Sequence, residues 1–322
     1  MTKNVQDRQQ EIRIEGKYLM QQTEVMKQIL KLKKERNAVI LAHLYQWPEV
    51  QDIADFVGDS LDLSRKARDT EAQVVVFCGV KFMAETAKIV NPGKTVLLPA
   101  PGAGCPMADM VTAHDVEQLR TAHPDAAVVC YVNSSAEVKA VSDICCTSSN
   151  AVKVVSSLKE DEIIFVPDRN LGHYVSRFFP SKQFILFDGF CPTHNKITSS
   201  DVAAVRALRP DTPILVHPEC RPEVLDKSDF IGSTAQIIDY ALKSDGQEFI
   251  IGTEIGVLHR LNQLCPDKRF YSLHAAIVCP NMKKTTLSNV HDALDKLQYK
   301  IELDELLIQK ASVSLERMLS IL

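Results

Sequence analysis

The sequence predicts an α/β protein made of three pseudo-threefold-related α/β/α sandwich units, each with a short parallel sheet, arranged around a central metal site. Three observations predict it. Apolar strand-like runs alternate with helix-like segments, one block of spaced residues occurs three times, and a Cys-Pro dipeptide closes every copy.

The elements follow in order. A polar arm (1–37) carries Val25, Ile29 and Leu32 at helical spacing. An apolar run from Ala38 to Leu44 comes next, then QVVVFC (73–78), TVLL (95–98), AVVCYV (127–132), EIIFV (162–166), FILF (184–187), PILV (213–216), EFIIG (248–252) and RFYSL (269–273). Continuous apolar runs of this kind read as strands covered on both faces, as in parallel sheets. The stretch from Leu287 to Leu322 reads as helical, with Leu306, Leu307, Ala311, Leu315 and Leu319 on one side. No low-complexity segment or long Gly/Ser linker interrupts the chain, so the units are expected to pack directly on one another.

The repeat sets the organisation. AHLYQWPEV (42–50), CYVNSSAEV (130–138) and VHPECRPEV (216–224) align without gaps, offset by 88 and then 86 positions, and each follows an apolar strand. A hydroxyl recurs in register at Ser60, Ser148 and Thr234, a proline at Pro92, Pro180 and Pro266, and a lysine at Lys94, Lys182 and Lys268. The closing pairs are Cys105-Pro106, Cys191-Pro192 and Cys279-Pro280. The expected division is a helical arm (1–37), units at 38–110, 111–197 and 198–285, and C-terminal helices (286–322) packing back on the first unit. Ligands of parallel α/β sheets sit beyond the carboxyl ends of the strands, so one site lined by all three units is expected.

Composition excludes several classes. With 37 Lys+Arg against 41 Asp+Glu the net charge is −4, which offers no basic face for nucleic acid or an acidic membrane. No apolar run approaches the ~18–20 residues of a membrane span, and the first twenty-odd residues lack the apolar stretch of a signal peptide. Nine cysteines are too few for a disulfide scaffold and cannot all pair. A reducing, cytoplasmic setting is expected.

Cys105, Cys191 and Cys279 are the cysteines at equivalent places in all three units; Cys78, Cys130, Cys145, Cys146, Cys220 and Cys265 have no threefold counterparts and read as small buried apolar residues. Proline after each symmetric cysteine fixes its loop. Three converging thiolates would hold either zinc with one open position or an iron-sulfur cluster with one iron free of protein, and either leaves a Lewis acid facing substrate. Ser60, Ser148 and Thr234 stand where a strand gives way to a helical pattern, a setting suited to plain capping or to a carboxylate or phosphate. His43 and His217 are equivalent strand-end residues, suited to hydrogen-bonding an acid group or carrying protons. Two positions on, the units carry Tyr45, Asn133 and Glu219, so the third alone supplies a carboxylate there and Glu219 is the general acid/base candidate. Tyr45 and Tyr131 are suited to passing protons or binding oxyanions. Lys94, Lys182 and Lys268 are placed at outer turns. Lys283, in a Cys-Pro loop, is a candidate for a phosphate; His194 and Lys196 are weaker ones, and the polar loop Asp168, Arg169, Asn170 is left without a role.

These strings together resemble one family. GCPMADM (104–110), YVNSSAEVKA (131–140), CTSSNA (146–151), PDRNLG (167–172), CPTHNKI (191–197), HPEC (217–220), GSTAQII (232–238), GTEIG (252–256) and CPNMKKTTL (279–287) are similar to the quinolinate synthase (quinolinate synthetase A) family, across nearly the whole chain. The resemblance implies three α/β units around a 4Fe-4S cluster held by Cys105, Cys191 and Cys279. It implies condensation of iminosuccinate, made by aspartate oxidase, with dihydroxyacetone phosphate in NAD biosynthesis, giving quinolinate with loss of phosphate and two waters. His43, Ser60, Tyr131, Asn133, Ser148, His217, Glu219 and Thr234 would form the iminosuccinate pocket, with Glu219, Tyr45 and His43 in the chemistry. One departure is visible: where some members carry C-x-x-C-x-x-C ending at the last ligand, this chain reads HAAIVC (274–279), which removes a disulfide switch there. Two other readings use the same residues: a zinc or iron-sulfur hydro-lyase acting on another small dicarboxylate, and a non-catalytic iron-sulfur sensor.

Overall fold

The computed structural model describes residues 22–321. Helical residues 22–35 (α1) carry Val25, Ile29 and Leu32, as their spacing predicts, and Ile29 is fully buried; the arm before residue 22 lies outside the described residues. Three four-stranded parallel sheets follow. The first has the order β2-β1-β3-β4, from β1 (Ala38–His43), β2 (Phe56–Gly58), β3 (Val74–Cys78) and β4 (Thr95–Leu97). The second, β6-β5-β7-β8, comprises β5 (Ala127–Tyr131), β6 (Ile144–Cys146), β7 (Glu162–Val166) and β8 (Gln183–Leu186). The third, β10-β9-β11-β12, comprises β9 (Ile214–Val216), β10 (Phe230–Ile231), β11 (Glu248–Gly252) and β12 (Arg269–Ser272).

The pairing register repeats with the sequence. Leu41 pairs with Phe56, Val129 with Ile144 and Leu215 with Phe230; Ile40 pairs with Val76, Val128 with Ile164 and Ile214 with Ile250. The central strands β3 and β5 are buried along their whole length, as layers covered by helices on both faces require. Around each sheet the chain repeats the same local devices. Asp55, Asp143 and Asp229 each accept from the backbone N–H of a central strand, at Ile40, Val128 and Ile214, and so tie the turn before the edge strand to the sheet. Each Cys-Pro loop runs through a short 3₁₀ turn into a helix: α5 (Ala113–Ala122), α9 (Ser199–Leu208) and α13 (Leu287–Lys296). All three helices open with a reciprocal capping box, led by Thr112, Thr198 and Thr286. The repeated lysines do sit at outer turns: Lys94 donates to the carbonyl of Glu71, Lys182 to those of Leu158 and Glu160, and Lys268 to those of Ala241 and Ser244.

The remaining helices are α2 (Pro48–Asp52), α3 (Ser60–Asp69), α4 (Lys81–Val90), α6 (Ala136–Ala140), α7 (Ala151–Ser156), α8 (Arg169–Ser176), α10 (Pro222–Leu225), α11 (Thr234–Lys243), α12 (Val257–Leu264) and α14 (Glu305–Ser320). The C-terminal stretch differs from the single helical run its composition suggests. Leu297 adopts a left-handed conformation that ends α13, and residues 299–301 then run antiparallel along β4, with Leu98 N–H donating to Tyr299 and Ile301 N–H to Val96. An otherwise bare sheet edge is thereby covered. The helices then part: α13 packs on the first sheet through Val290, Ala293 and Leu294, whereas α14, expected there too, bridges α4 of the first unit and α6 and β6 of the second. Ala311, Leu315, Met318 and Leu319 form its buried stripe; Leu306 lies off that stripe and is exposed. No helix among the described residues is long and apolar enough to cross a membrane.

Candidate active site

At the carboxyl ends of the sheets a single cavity of about 150 Å³ is lined by all three units. The expected pocket and ligand residues all reach it: His43, Tyr45 and Ser60 from the first unit, Tyr131, Asn133 and Ser148 from the second, His217, Glu219 and Thr234 from the third, together with Cys105, Cys191 and Cys279. The repeat explains the convergence, since equivalent strand ends of three sheets meet at one place.

The two histidines share a geometry. The backbone N–H of Tyr45 donates to His43 Nδ1 at 3.1 Å, and that of Glu219 to His217 Nδ1 at 3.3 Å. In each neutral ring the proton is therefore on Nε2, which in His217 meets Ser148 Oγ at 3.1 Å. Burial lowers the pKa of both to about 3, with His217 also opposing charge on His43 and His194 opposing charge on His217. Near neutral pH they are uncharged hydrogen-bond donors, which favours the binding role over proton carriage.

Glu219 lies at the centre. Tyr131 OH donates to its Oε1 at 2.6 Å, and His194 Nδ1 meets its Oε2 at 2.7 Å. Burial alone would push this carboxyl up; His194, His217 and the Tyr131 hydroxyl overcome that and hold it well below the usual carboxylate range. Burial, reinforced by the charge of Glu219, raises the phenols of Tyr45 and Tyr131 well above their ordinary value, so both are protonated. Asn133 Oδ1 is buried and has no hydrogen-bond partner among the described residues, which makes it an acceptor open to a ligand in the cavity.

The hydroxyls are not the helix caps. Asp59 caps α3 and Ser233 caps α11, so Ser60 and Thr234 occupy the first helical positions and line the cavity, Thr234 Oγ1 3.0 Å from Tyr45 OH; Ser148 precedes Asn150, the cap position of α7. The capping residues also hold the units together. Ser149 Oγ donates to Asp59 Oδ2 and lies 2.7 Å from Ser233 Oγ, joining all three units behind the cavity-lining hydroxyls.

Comparison with known proteins decides the family. The family model described as NadA, quinolinate synthetase A protein, matches residues 27–320. A quinolinate synthase of Caldicellulosiruptor bescii is 57% identical over 92% of this chain and 98% of its own length. One from Alkaliphilus metalliredigens is 54% identical over 94% of this chain and 100% of its own, and one from Methanoregula boonei 54% identical over 92% and 98%. The chain belongs to the quinolinate synthase family. Members are enzymes, and so is this chain.

The nine cysteines separate into two groups. Cys105, Cys191 and Cys279 are partly accessible and face the cavity, while the other six are buried, and none is in a disulfide. Burial pushes Cys105 up to about 12 and raises Cys191 and Cys279 as well, so the sulfurs are thiols until a cation displaces their protons. Their loops are braced from behind. Asp168 caps α8 through Leu171 N–H and accepts from Cys191 N–H at 3.2 Å; Glu254, its equivalent in the third unit, accepts from Cys279 N–H at 3.2 Å. The first unit has Val80 at that position. A second donor group is present: Cys191, His194 and Glu219 offer ligand atoms within 4.8 Å of one another and could bind a metal.

The two lysines named from the sequence take different places, and the residues that support the site were given no role there. Lys283 does not enter the cavity: its Nζ is held by Tyr45 O at 2.5 Å and Glu254 Oε1 at 3.0 Å, a buried strut between the first and third units. Lys196 is exposed and is the one lysine or arginine lining the cavity among the described residues. Gly256 allows a close approach between those units, since a Cβ there would stand 2.8 Å from both Leu44 O and Tyr45 Cα. Asp168 and Glu254 were readable in principle as acids in register, 86 positions apart.

Proposed function

We propose that this chain is a quinolinate synthase that condenses iminosuccinate with dihydroxyacetone phosphate in NAD biosynthesis, releasing phosphate and two waters. One observation carries the reading: three equivalent, partly accessible cysteines and three equivalent hydroxyls, one of each from every unit, share a cavity with two neutral histidine donors and the ionised glutamate of the third unit. Cys105, Cys191 and Cys279 would hold a 4Fe-4S cluster, their donor set of three sulfurs fitting a cluster that leaves one iron free. When bound, that group supplies a Lewis acid for substrate oxygens and leaving hydroxyls.

The chain's own residues do the rest. His43 Nε2–H and His217 Nε2–H, with Ser60, Ser148 and Thr234, bind the carboxylates of the dicarboxylate substrate. Asn133 Oδ1 accepts from its nitrogen. Glu219, ionised and clamped by Tyr131 and His194, takes a proton from carbon as the new carbon–carbon bond forms and returns it to a hydroxyl that leaves as water. Tyr45 and Tyr131 remain protonated and position oxygens around that exchange. Lys196 at the cavity wall attracts the phosphate of the second substrate.

A mononuclear zinc on Cys191, His194 and Glu219 is the competing arrangement. Against it, His194 and Glu219 are 2.7 Å apart, a hydrogen-bond separation shorter than that between two ligand atoms about 2.0–2.2 Å from one metal at a tetrahedral angle. The organisation into units 38–110, 111–197 and 198–285 flanked by the arm and the C-terminal helices, a cytoplasmic location, and a functional link to aspartate oxidase as the source of iminosuccinate belong to the same reading. The test is an anaerobic assay with both substrates, together with iron, sulfide and zinc analysis. Quinolinate from an iron-sulfur protein is expected; a colourless zinc protein making none overturns the proposal.

A further inference from the structure

Lys139, on α6, is wholly buried, and nothing in the chemistry above uses it. It forms no ion pair with a carboxylate among the described residues; its Nζ donates to the carbonyl of Ser134 and stands 5.6 Å over the ring of Phe82 in the first unit. An ammonium buried without a carboxylate destabilises the fold unless something else is gained.

The repeat shows what is gained. One position beyond the aligned Glu-Val pairs, Lys139 is equivalent to Gln51 in the first unit and Leu225 in the third, while Ser134 is equivalent to Gln46 and Cys220. Gln51 is also buried, and its Nε2 lies 3.0 Å from the carbonyl of Gln46, as well as from those of Leu44 and Gly256. Gln51 and Lys139 therefore make the same bond to the same turn carbonyl. Leu225 has no donor, and the third turn is held from outside its unit: Asn170 of the second unit, itself buried, donates from Nδ2 to Glu219 O at 3.0 Å. Each turn that carries a residue from β1, β5 or β9 into the cavity is thus held by a buried nitrogen. Leucine at 225 also shows that the fold of a unit does not require a donor at this position.

In the second unit the link runs on toward the site. Ser134, whose carbonyl Lys139 holds, donates from its own Oγ to Tyr131 O at 2.9 Å. Asn133 lies between the two, and Tyr131 OH reaches Glu219. Behind Lys139, Ser314 of α14 donates to the Lys139 carbonyl at 2.8 Å and fixes α6 from the far side. Hydrogen bonds therefore connect the C-terminal helix to the turn that presents Tyr131 and Asn133.

Resting on the quinolinate synthase reading, we propose that Lys139 is a positioning residue for the reaction: it holds the turn after β5 so that Tyr131 meets Glu219 and Asn133 Oδ1 faces the substrate nitrogen. Lys139→Met keeps an unbranched side chain in the same space and removes the donor. Lys139→Gln installs the side chain that makes the equivalent bond in the first unit. A small misplacement of groups in a preorganised site is enough to cost rate.

The experiment compares the anaerobically purified full chain with these two variants. Lys139→Met is expected to lose about tenfold or more in kcat and to show a raised KM for iminosuccinate, with KM for dihydroxyacetone phosphate and iron content close to wild type. Lys139→Gln is expected to return kcat to within about threefold of wild type. Wild-type kcat in the methionine variant, whatever its melting temperature, or no rescue by glutamine overturns the proposal, since a lysine that only fills the core would behave in one of those ways. If the methionine variant does not accumulate, Ser134→Ala cuts the same link at its next bond and is expected to lose kcat to a similar degree; wild-type kcat there overturns the proposal. A second readout does not depend on turnover: a crystal structure of the methionine or the Ser134→Ala variant is expected to show the Tyr131 hydroxyl displaced from Glu219 Oε1, and an unmoved hydroxyl overturns the proposal too. Absence of quinolinate from the wild-type protein would overturn the functional reading instead, and the crystallographic comparison would still decide whether Lys139 places Tyr131.

Discussion

Glu219→Gln is the substitution that most directly tests how the cavity works. The carboxylate is 3% exposed and receives two short donors, Tyr131 OH at 2.6 Å and His194 Nδ1 at 2.7 Å. An amide of the same shape accepts one of them and must turn its NH₂ toward the other, so one charge-assisted bond of about 1.5–3 kcal/mol is lost and two donors face each other. Stability should fall by about 2–3 kcal/mol on that account, measured as a shift in the denaturation midpoint at unchanged slope. Catalysis should fall further. Removing a positioned acid/base group lowers turnover by about 10²–10⁴-fold, or about 2.7–5.5 kcal/mol of barrier. Cys105, Cys191 and Cys279 are untouched, so iron and sulfide content should match wild type. The assay is anaerobic quinolinate formation from iminosuccinate and dihydroxyacetone phosphate, with metal analysis on the same preparation. Turnover within about threefold of wild type would refute the assignment of Glu219, whatever the stability change.

Cys279→Ala should lower bound iron to a small fraction of wild type, and Cys146→Ala, a buried cysteine away from the cavity, should leave it unchanged; equal iron in both, by elemental analysis, would break the three-sulfur ligand set. Tyr131→Phe removes the donor at 2.6 Å that stabilises ionised Glu219, so the carboxyl pKa rises and the acid limb of the pH–rate profile moves to higher pH; an unmoved limb contradicts that role. His43 and His217 are held neutral with pKa values near 3, below the ordinary 6.5. The unfolded chain then binds protons the folded one refuses, and stability present above pH 6.5 is lost as pH falls toward 3, by about 1.4 kcal/mol per imidazole for each pH unit. Thermal melts at pH 7 and pH 5 check this, and Thr or Asn at both positions should flatten the dependence. Glu254→Gln leaves Lys283 buried without its counter-charge and should cost about 3–5 kcal/mol, whereas Glu254→Gln with Lys283→Met should recover part of it; an additive double mutant would show that the two side chains do not interact.

Much of this molecule was legible before folding because the repeat is a property of spacing. Three copies of one strand-and-helix pattern can bury their apolar runs in only one kind of layered unit, and equivalent strand ends must then carry equivalent residues. That reasoning placed His43 with His217, Ser60 with Ser148 and Thr234, and each Cys-Pro loop with the other two. The short edge strands β2, β6 and β10 were marked only as the apolar stretches before the hydroxyls, since two or three residues carry too little periodicity. The break between α13 and α14 was hidden for a different reason. Leucine-rich composition continues across it, and what ends the helix is the bare edge of β4, a partner some 200 residues earlier in the chain.

The sequence by itself determined the number of units, their sheets, and the set of residues at their strand ends, because periodicity and register are local and repeat. Tertiary structure alone decided how those ends face one another. It turned Lys283 from the cavity into a strut beneath Tyr45, made Asp168 and Glu254 the supports of two cysteine loops, and joined Tyr45 to Glu219 through Thr253 and His194. The contacts of Lys283 and the chain from Tyr45 to Glu219 cross from one unit to another, whereas Asp168 and Glu254 support cysteine loops of their own units; no spacing along the chain encodes the distance between two sheets or between a strand end and a loop some 23–25 residues on.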